Sequence, residues 1–198
     1  MDTTVGQADR PIIGLTVGDP AGIGPEIVVK ALRDPKIYDT VRPLVFADRA
    51  VLAQTLDALG DTSKLHAVQE PSAGRYQVGW VDFVDVGVLH EPVKYGVVSA
   101  AGGQAGYAYL ERAIQAALAG EVVGLATAPL NKESLQAAKL PYIDHTAVLK
   151  ARAAVNEPMT LFLVHNLKIF FLTRHISFRQ IPDARAFRRR GACRRANG

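Results

Sequence analysis

Four polar segments carry residue types that could do chemistry. Residues 127–133, TAPLNKE, follow the apolar run Val122–Ala126, and open α/β sheets hold their ligands beyond the carboxyl ends of strands. Lys132 could grip an anionic group there or, if desolvated, act as a general base. The plainer reading makes Asn131 a helix cap with Lys132 and Glu133 solvated. Asp144-His145-Thr146 opens a helical stretch, and His175 follows the apolar run Leu167–Leu172 in Thr173-Arg174-His175-Ile176-Ser177. Imidazole binds divalent metals and titrates near neutrality, so each histidine is placed for metal or substrate, though a lone histidine is also a common structural residue. No H-x-x-x-H, H-x-x-E-H or cysteine set supplies a complete metal site by local spacing. The fourth segment, Gly18-Asp19-Pro20-Ala21-Gly22-Ile23-Gly24-Pro25-Glu26, has the glycines of a phosphate-cradling turn. Its spacing is neither that of a P-loop nor G-x-G-x-x-G, and Asp19 and Glu26 would repel a phosphate, so a tight strand-to-helix turn accounts for it equally well.

The elements that must position these segments alternate. Pro11–Val17 reads as a buried strand ending at Gly18, with a helix from Pro25 to residue 33. Leu44–Ala47 is a second strand, Ala50–Leu59 a helix stopped by Gly60, and Trp80–Val86 an alternating strand. Ser99–Ala119 holds a long alanine-rich helix stopped by Gly120. Val122–Ala126 is a further strand, followed by a helix through Ala138. Leu161–Val164 and Leu167–Leu172 flank His165-Asn166 as a hairpin. This alternation predicts a layered αβα sandwich.

Taken together, GDPAGIGPE at 18–26, SAAGGQAG at 99–106, TAPLNKE at 127–133, DHT at 144–146 and LTRHISFRQIP at 172–182 resemble the 4-hydroxythreonine-4-phosphate dehydrogenase family of pyridoxine biosynthesis. The family includes relatives that oxidise 4-phospho-D-threonate or 4-phospho-D-erythronate. The resemblance implies the fold of the isocitrate and isopropylmalate dehydrogenase class, C-terminally truncated here. It also implies oxidation with decarboxylation of a small phosphorylated substrate, dependent on NAD and on a divalent metal (Zn, Mg or Co), in a cytoplasmic homodimer. By motif matching, His145 and Thr146 correspond to substrate-binding residues and His175 to a metal ligand. Asn131 belongs to a motif near the active site as a substrate contact, and Lys132 is the candidate base. The cofactor-binding residues remain unassigned. The phrases Asp144-His145 and NLKIFFLTRH favour the threonate and erythronate relatives.

Charge marks where the resemblance ends. Of 23 Lys and Arg, six Arg fall in residues 184–198, which hold no acid and the only cysteine, Cys193; the remaining 183 residues carry 17 basic against 19 acidic groups. The expectation is a leader at 1–10, a dehydrogenase portion at 11–183 and an out-of-frame, disordered tail at 184–198, produced by a frameshift near codon 184. Lacking two of the three metal histidines implied by the resemblance, such a chain is expected to be inactive alone. A competing reading makes the basic tail a nucleic-acid-binding module, but it has no aromatic interleaving beyond Phe187 and no recognition fold precedes it. No run of 18 apolar residues occurs, so no membrane partner is expected either.

Overall fold

The computed structural model describes residues 10–154, 158–171 and 177–180. The chain divides into two units, Met1–Val155 and Asn156–Gly198. The first is built on a five-stranded sheet in the order β3-β4-β2-β1-β5, with every pairing parallel. Its strands are β1 (Ile12–Thr16), β2 (Arg42–Ala47), β3 (Lys64–Ala67), β4 (Trp80–Asp85) and β5 (Gly124–Thr127). Its helices are α1 (Gly24–Ala31), α2 (Pro35–Thr40), α3 (Arg49–Ala58), α4 (Ala100–Leu118), α5 (Lys132–Ala137) and α6 (His145–Arg152).

A central parallel strand must be apolar on both faces, because crossover helices cover both. β2 meets this condition: Leu44, Val45, Phe46 and Ala47 have no exposed surface. Alternate residues feed different cores, with Val45 and Ala47 packing beside Val28, Leu52 and Phe83, while Leu44 and Phe46 join Val84, Ala113 and Ala116. The sheet therefore carries a core on each face, as the alternating pattern predicts. A third cluster, Tyr107, Leu110, Ile114, Leu135 and Val148, binds α4 to α5 and α6. Helix α4 contributes to all three cores.

The ends of α4 follow local chemistry. The Ser99 hydroxyl accepts from the Gly102 N–H at 3.0 Å, and Gly120 leaves the helix with φ of 76°. Two short elements escape sequence periodicity. Helix α2 is six residues capped by Asp34, whose carboxylate accepts from the Lys36 N–H at 2.9 Å, and β3 is a four-residue edge strand with no alternation. The second unit contains an antiparallel hairpin of β6 (Leu161–Val164) and β7 (Leu167–Phe170). The expected His165-Asn166 turn is present, with His165 at φ of 51°, the left-handed geometry that a two-residue hairpin requires. The tail 184–198 and most of the leader lie outside the described residues.

Candidate functional site

Parallel pairing of β1 with β5 sets Thr16 beside Thr127, so the loops leaving both strands emerge together. The Ala128 N–H donates to the Thr16 carbonyl at 2.9 Å, and the Asp19 N–H donates to the Pro129 carbonyl at 3.0 Å. The first loop needs its glycines for this approach. Gly18 has φ of 68°, and a Cβ there would lie 2.1 Å from the Pro129 oxygen; a Cβ on Gly24 would lie 2.0 Å from the Val17 oxygen. Contact with neighbouring backbone thus accounts for both residues, and the tight-turn reading is the one the geometry supports.

Within that turn Asp19 is buried. Its Oδ1 accepts from the Ala21 N–H at 2.9 Å, while Oδ2 has no partner among the described residues. The carboxylate lies against the first turn of α4: a Cβ on Gly102 would come within 3.0 Å of Oδ1. The positive end of a helix favours a carboxylate there. One residue on, a Cβ on Gly103 would meet the Ser134 carbonyl at 2.0 Å, and a Cβ on Gly106 would lie 2.9 Å from the Gly18 carbonyl oxygen. The glycines of SAAGGQAG therefore let α4 touch both the first loop and α5.

Asn131 caps α5, its side-chain oxygen accepting from the Glu133 N–H at 2.9 Å and the Ser134 N–H at 3.2 Å. That leaves its amide hydrogens for any ligand. Lys132 is exposed on the first turn of α5, so the described residues do not supply the desolvation that would prime it as a base. Asp144 caps α6 through the Ala147 N–H at 2.8 Å, placing His145 and Thr146 first and second in the helix. His145 is half-buried, and its Nε2 lies 3.1 Å from the Ala128 carbonyl. The far end of α6 is held to α4 by Arg152, whose Nε donates to the Tyr107 hydroxyl at 3.0 Å and whose Nη2 pairs with Glu111 at 2.6 Å. The Tyr107 ring also stacks on Tyr142 at 5.6 Å.

The structure thus gathers four segments singled out in the sequence, 18–26, 99–106, 127–133 and 144–146. His175 and most of the fifth segment lie outside the described residues. Among the described residues no three His, Cys, Asp or Glu side chains cluster to hold a metal ion. The turn at 18–24 is closed by backbone contacts and carries a buried carboxylate, so it does not fit a dinucleotide phosphate. No residue described here is assigned to either group.

Comparison with known proteins then decides the family. The family described as "Pyridoxal phosphate biosynthetic protein PdxA" matches residues 39–189. The chain belongs to the PdxA family. A relative from Symbiobacterium thermophilum, carrying the name "Putative D-threonate 4-phosphate dehydrogenase", is 43% identical over 172 residues, which are 86% of this chain and 51% of the relative. Among solved structures, the 4-hydroxythreonine-4-phosphate dehydrogenase of Burkholderia phymatum matches with a TM-score of 0.80 at 36% identity, covering 85% of this chain and 51% of that one. The enzyme of the same name from Klebsiella pneumoniae matches with a TM-score of 0.76 at 30% identity, covering 90% and 54%. The chain spans about half the length of these PdxA-family relatives, all of which bear the names of dehydrogenases.

Burial lowers the His145 pKa below the ordinary 6.5, outweighing the upward pulls of the Ala128 carbonyl and the Asp144 carboxylate. The unfolded chain therefore binds a proton that the folded one resists. His145 contributes stability that is full above about pH 6.5 and is lost as pH falls toward its folded pKa. Urea unfolding at about pH 7.5 and about pH 5.5 should show a larger acid loss for the native chain than for His145→Gln. Equal losses would contradict the assignment.

Proposed function

We propose that this chain forms the substrate-facing part of a dehydrogenase acting on a small phosphorylated hydroxy acid of the D-threonate 4-phosphate or 4-hydroxythreonine-4-phosphate type. The observation that carries the reading is the convergence of the 18–26, 127–133 and 144–146 segments at the carboxyl ends of β1 and β5. Ligands of open α/β sheets bind at that position. The names of the PdxA relatives supply the substrate class, and the motif resemblance supplies the fold assignment to the isocitrate and isopropylmalate dehydrogenase class.

In this reading His145 and Thr146 orient the substrate, Asn131 offers its amide hydrogens, and Lys132 takes the alcohol proton once a bound ligand covers it. A nicotinamide cofactor would accept the hydride, and a divalent metal with His175 among its ligands would polarise the hydroxyl. The D-threonate relative favours the non-amino acid substrate.

Binding is the direct test. Backbone amide NMR of the whole chain, titrated with D-threonate 4-phosphate, should perturb residues 128–132 and 144–147 more than D-threonate or inorganic phosphate does. Perturbation confined to other residues, or none, would refute the proposed site. NADH absorbance with the same substrate, NAD and each of the three metals then reads turnover.

A further inference from the structure

The hydrogen bond between His145 and Ala128 fixes more than the position of the ring. A backbone carbonyl can only accept, so the ring nitrogen 3.1 Å from the Ala128 oxygen must be the one that carries a hydrogen. That nitrogen is Nε2. A neutral imidazole has one N–H, and hence its other nitrogen is a bare acceptor. Two independent features oppose a second proton. The ring is half-buried, and it sits on the first residue of the eight-residue helix α6, at the positive end of the helix dipole. The charged group facing it is Asp144, and the Asp144 Oδ1 is already engaged by the Ala147 N–H. Nδ1 has no hydrogen-bond partner among the described residues.

The geometry assigns His145 the role of a neutral Nε2–H tautomer that meets its ligand through the Nδ1 lone pair, accepting a hydrogen bond from a substrate hydroxyl. This rests on the substrate reading above and specifies which part of that substrate the residue recognises. A phosphate dianion or a carboxylate has only lone pairs to offer, so a bare Nδ1 would face it acceptor to acceptor. A hydroxyl donates. His145 is then a selector for the hydroxylated carbon chain, and the phosphate must be held by donors elsewhere. The Ala128 carbonyl is part of the device, since it fixes the tautomer and belongs to the same loop that carries Asn131 and Lys132.

Long-range proton–nitrogen correlation NMR of the chain labelled with nitrogen-15 histidine reads the tautomer directly. At about pH 7.5 His145 should show a protonated Nε2 and a bare Nδ1; a protonated Nδ1 at that pH, alone or in an imidazolium, would overturn the assignment. Titration then separates the ligand groups. D-threonate 4-phosphate should shift Nδ1, whereas the analogue lacking both hydroxyls, 4-phosphooxybutanoate, and inorganic phosphate should not. An equal Nδ1 shift with inorganic phosphate overturns the proposal while leaving the substrate site standing. Failure of the phosphorylated hydroxy acid to perturb any residue from 127 to 146 removes the substrate reading and the proposal together. His145→Gln keeps a donor for Ala128 without a ring acceptor. It should retain the native amide spectrum and bind D-threonate 4-phosphate about tenfold more weakly, a larger loss than it shows for 4-phosphooxybutanoate; an equal loss for both would overturn hydroxyl recognition.

Discussion

Gly103→Ala is expected to lower stability by about 3 kcal/mol, the upper part of the range for forcing extra atoms into a packed interface. The added methyl would sit 2.0 Å from the Ser134 carbonyl and 2.3 Å from its carbon, both backbone, so no side chain can swing aside. Helix propensity works in the opposite direction. Alanine is favoured over glycine within a helix by about 0.5–1 kcal/mol, so a net loss would isolate the steric effect. Gly124→Ala is the control: its methyl would find only Ile13 Cδ1, at 3.6 Å, an ordinary contact, and should cost within about 0.5 kcal/mol. The midpoint of urea unfolding, at constant slope, distinguishes the two. Because Gly103 sets the distance from α4 to α5, its variant should also move the amide signals of Asn131 and Ser134. Equal stability for the two variants would mean that the close approach is not required.

The same contact explains what the sequence could and could not disclose. Strand β2 was legible because a strand buried on both faces is written as a continuous apolar run, and α4 because Ser99 and Gly120 bracket its alanines. The cap at Asn131 was legible for a similar local reason. Helix α2 and β3 were not, since six and four residues fall short of the window over which periodicity can be read. Within the site, each polar segment stood out in the sequence, but their convergence depends on the pairing of β1 with β5, whose strands are more than a hundred residues apart. Local sequence does not distinguish Gly102 and Gly103 from any other small residues of a helix. Their specific partners, Asp19 and Ser134, emerge only from the tertiary arrangement. The bond from His145 to Ala128 likewise joins residues that no local pattern connects.

Asp48 is the largest feature that sequence reading passed over, and its replacement should be the most damaging change outside the site. The side chain is fully buried, and its carboxylate accepts from the Val88 N–H at 3.0 Å, the Leu89 N–H at 2.6 Å and the Tyr109 hydroxyl at 2.7 Å. Burial, followed by this bond to the carboxylate, pushes the Tyr109 pKa up, keeping its hydroxyl a donor. Asp48→Ala would leave one buried donor, the Tyr109 hydroxyl, and two part-buried ones, the Val88 and Leu89 N–H groups, unpaired, at a cost of about 4 kcal/mol. Tyr109→Phe removes one donor and leaves the two backbone bonds in place, so about 1–2 kcal/mol is expected. The consequence reaches the site through the chain. Asp48 fixes residues 88–89, Gln54 brackets Val93 with bonds of 2.6 and 2.9 Å, and the Gly96 N–H donates to the Ala21 carbonyl at 2.8 Å, just before Ser99 starts α4. The segment that delivers the α4 N-terminus to Asp19 is therefore laid down from Asp48 onward. Hydrogen exchange should show the amides of Val88, Leu89, Val93 and Gly96 losing protection in Asp48→Ala at denaturant concentrations where β2 remains protected. If those amides instead exchange together with β2, the segment unfolds only with the whole unit and Asp48 has no separate hold on the α4 N-terminus.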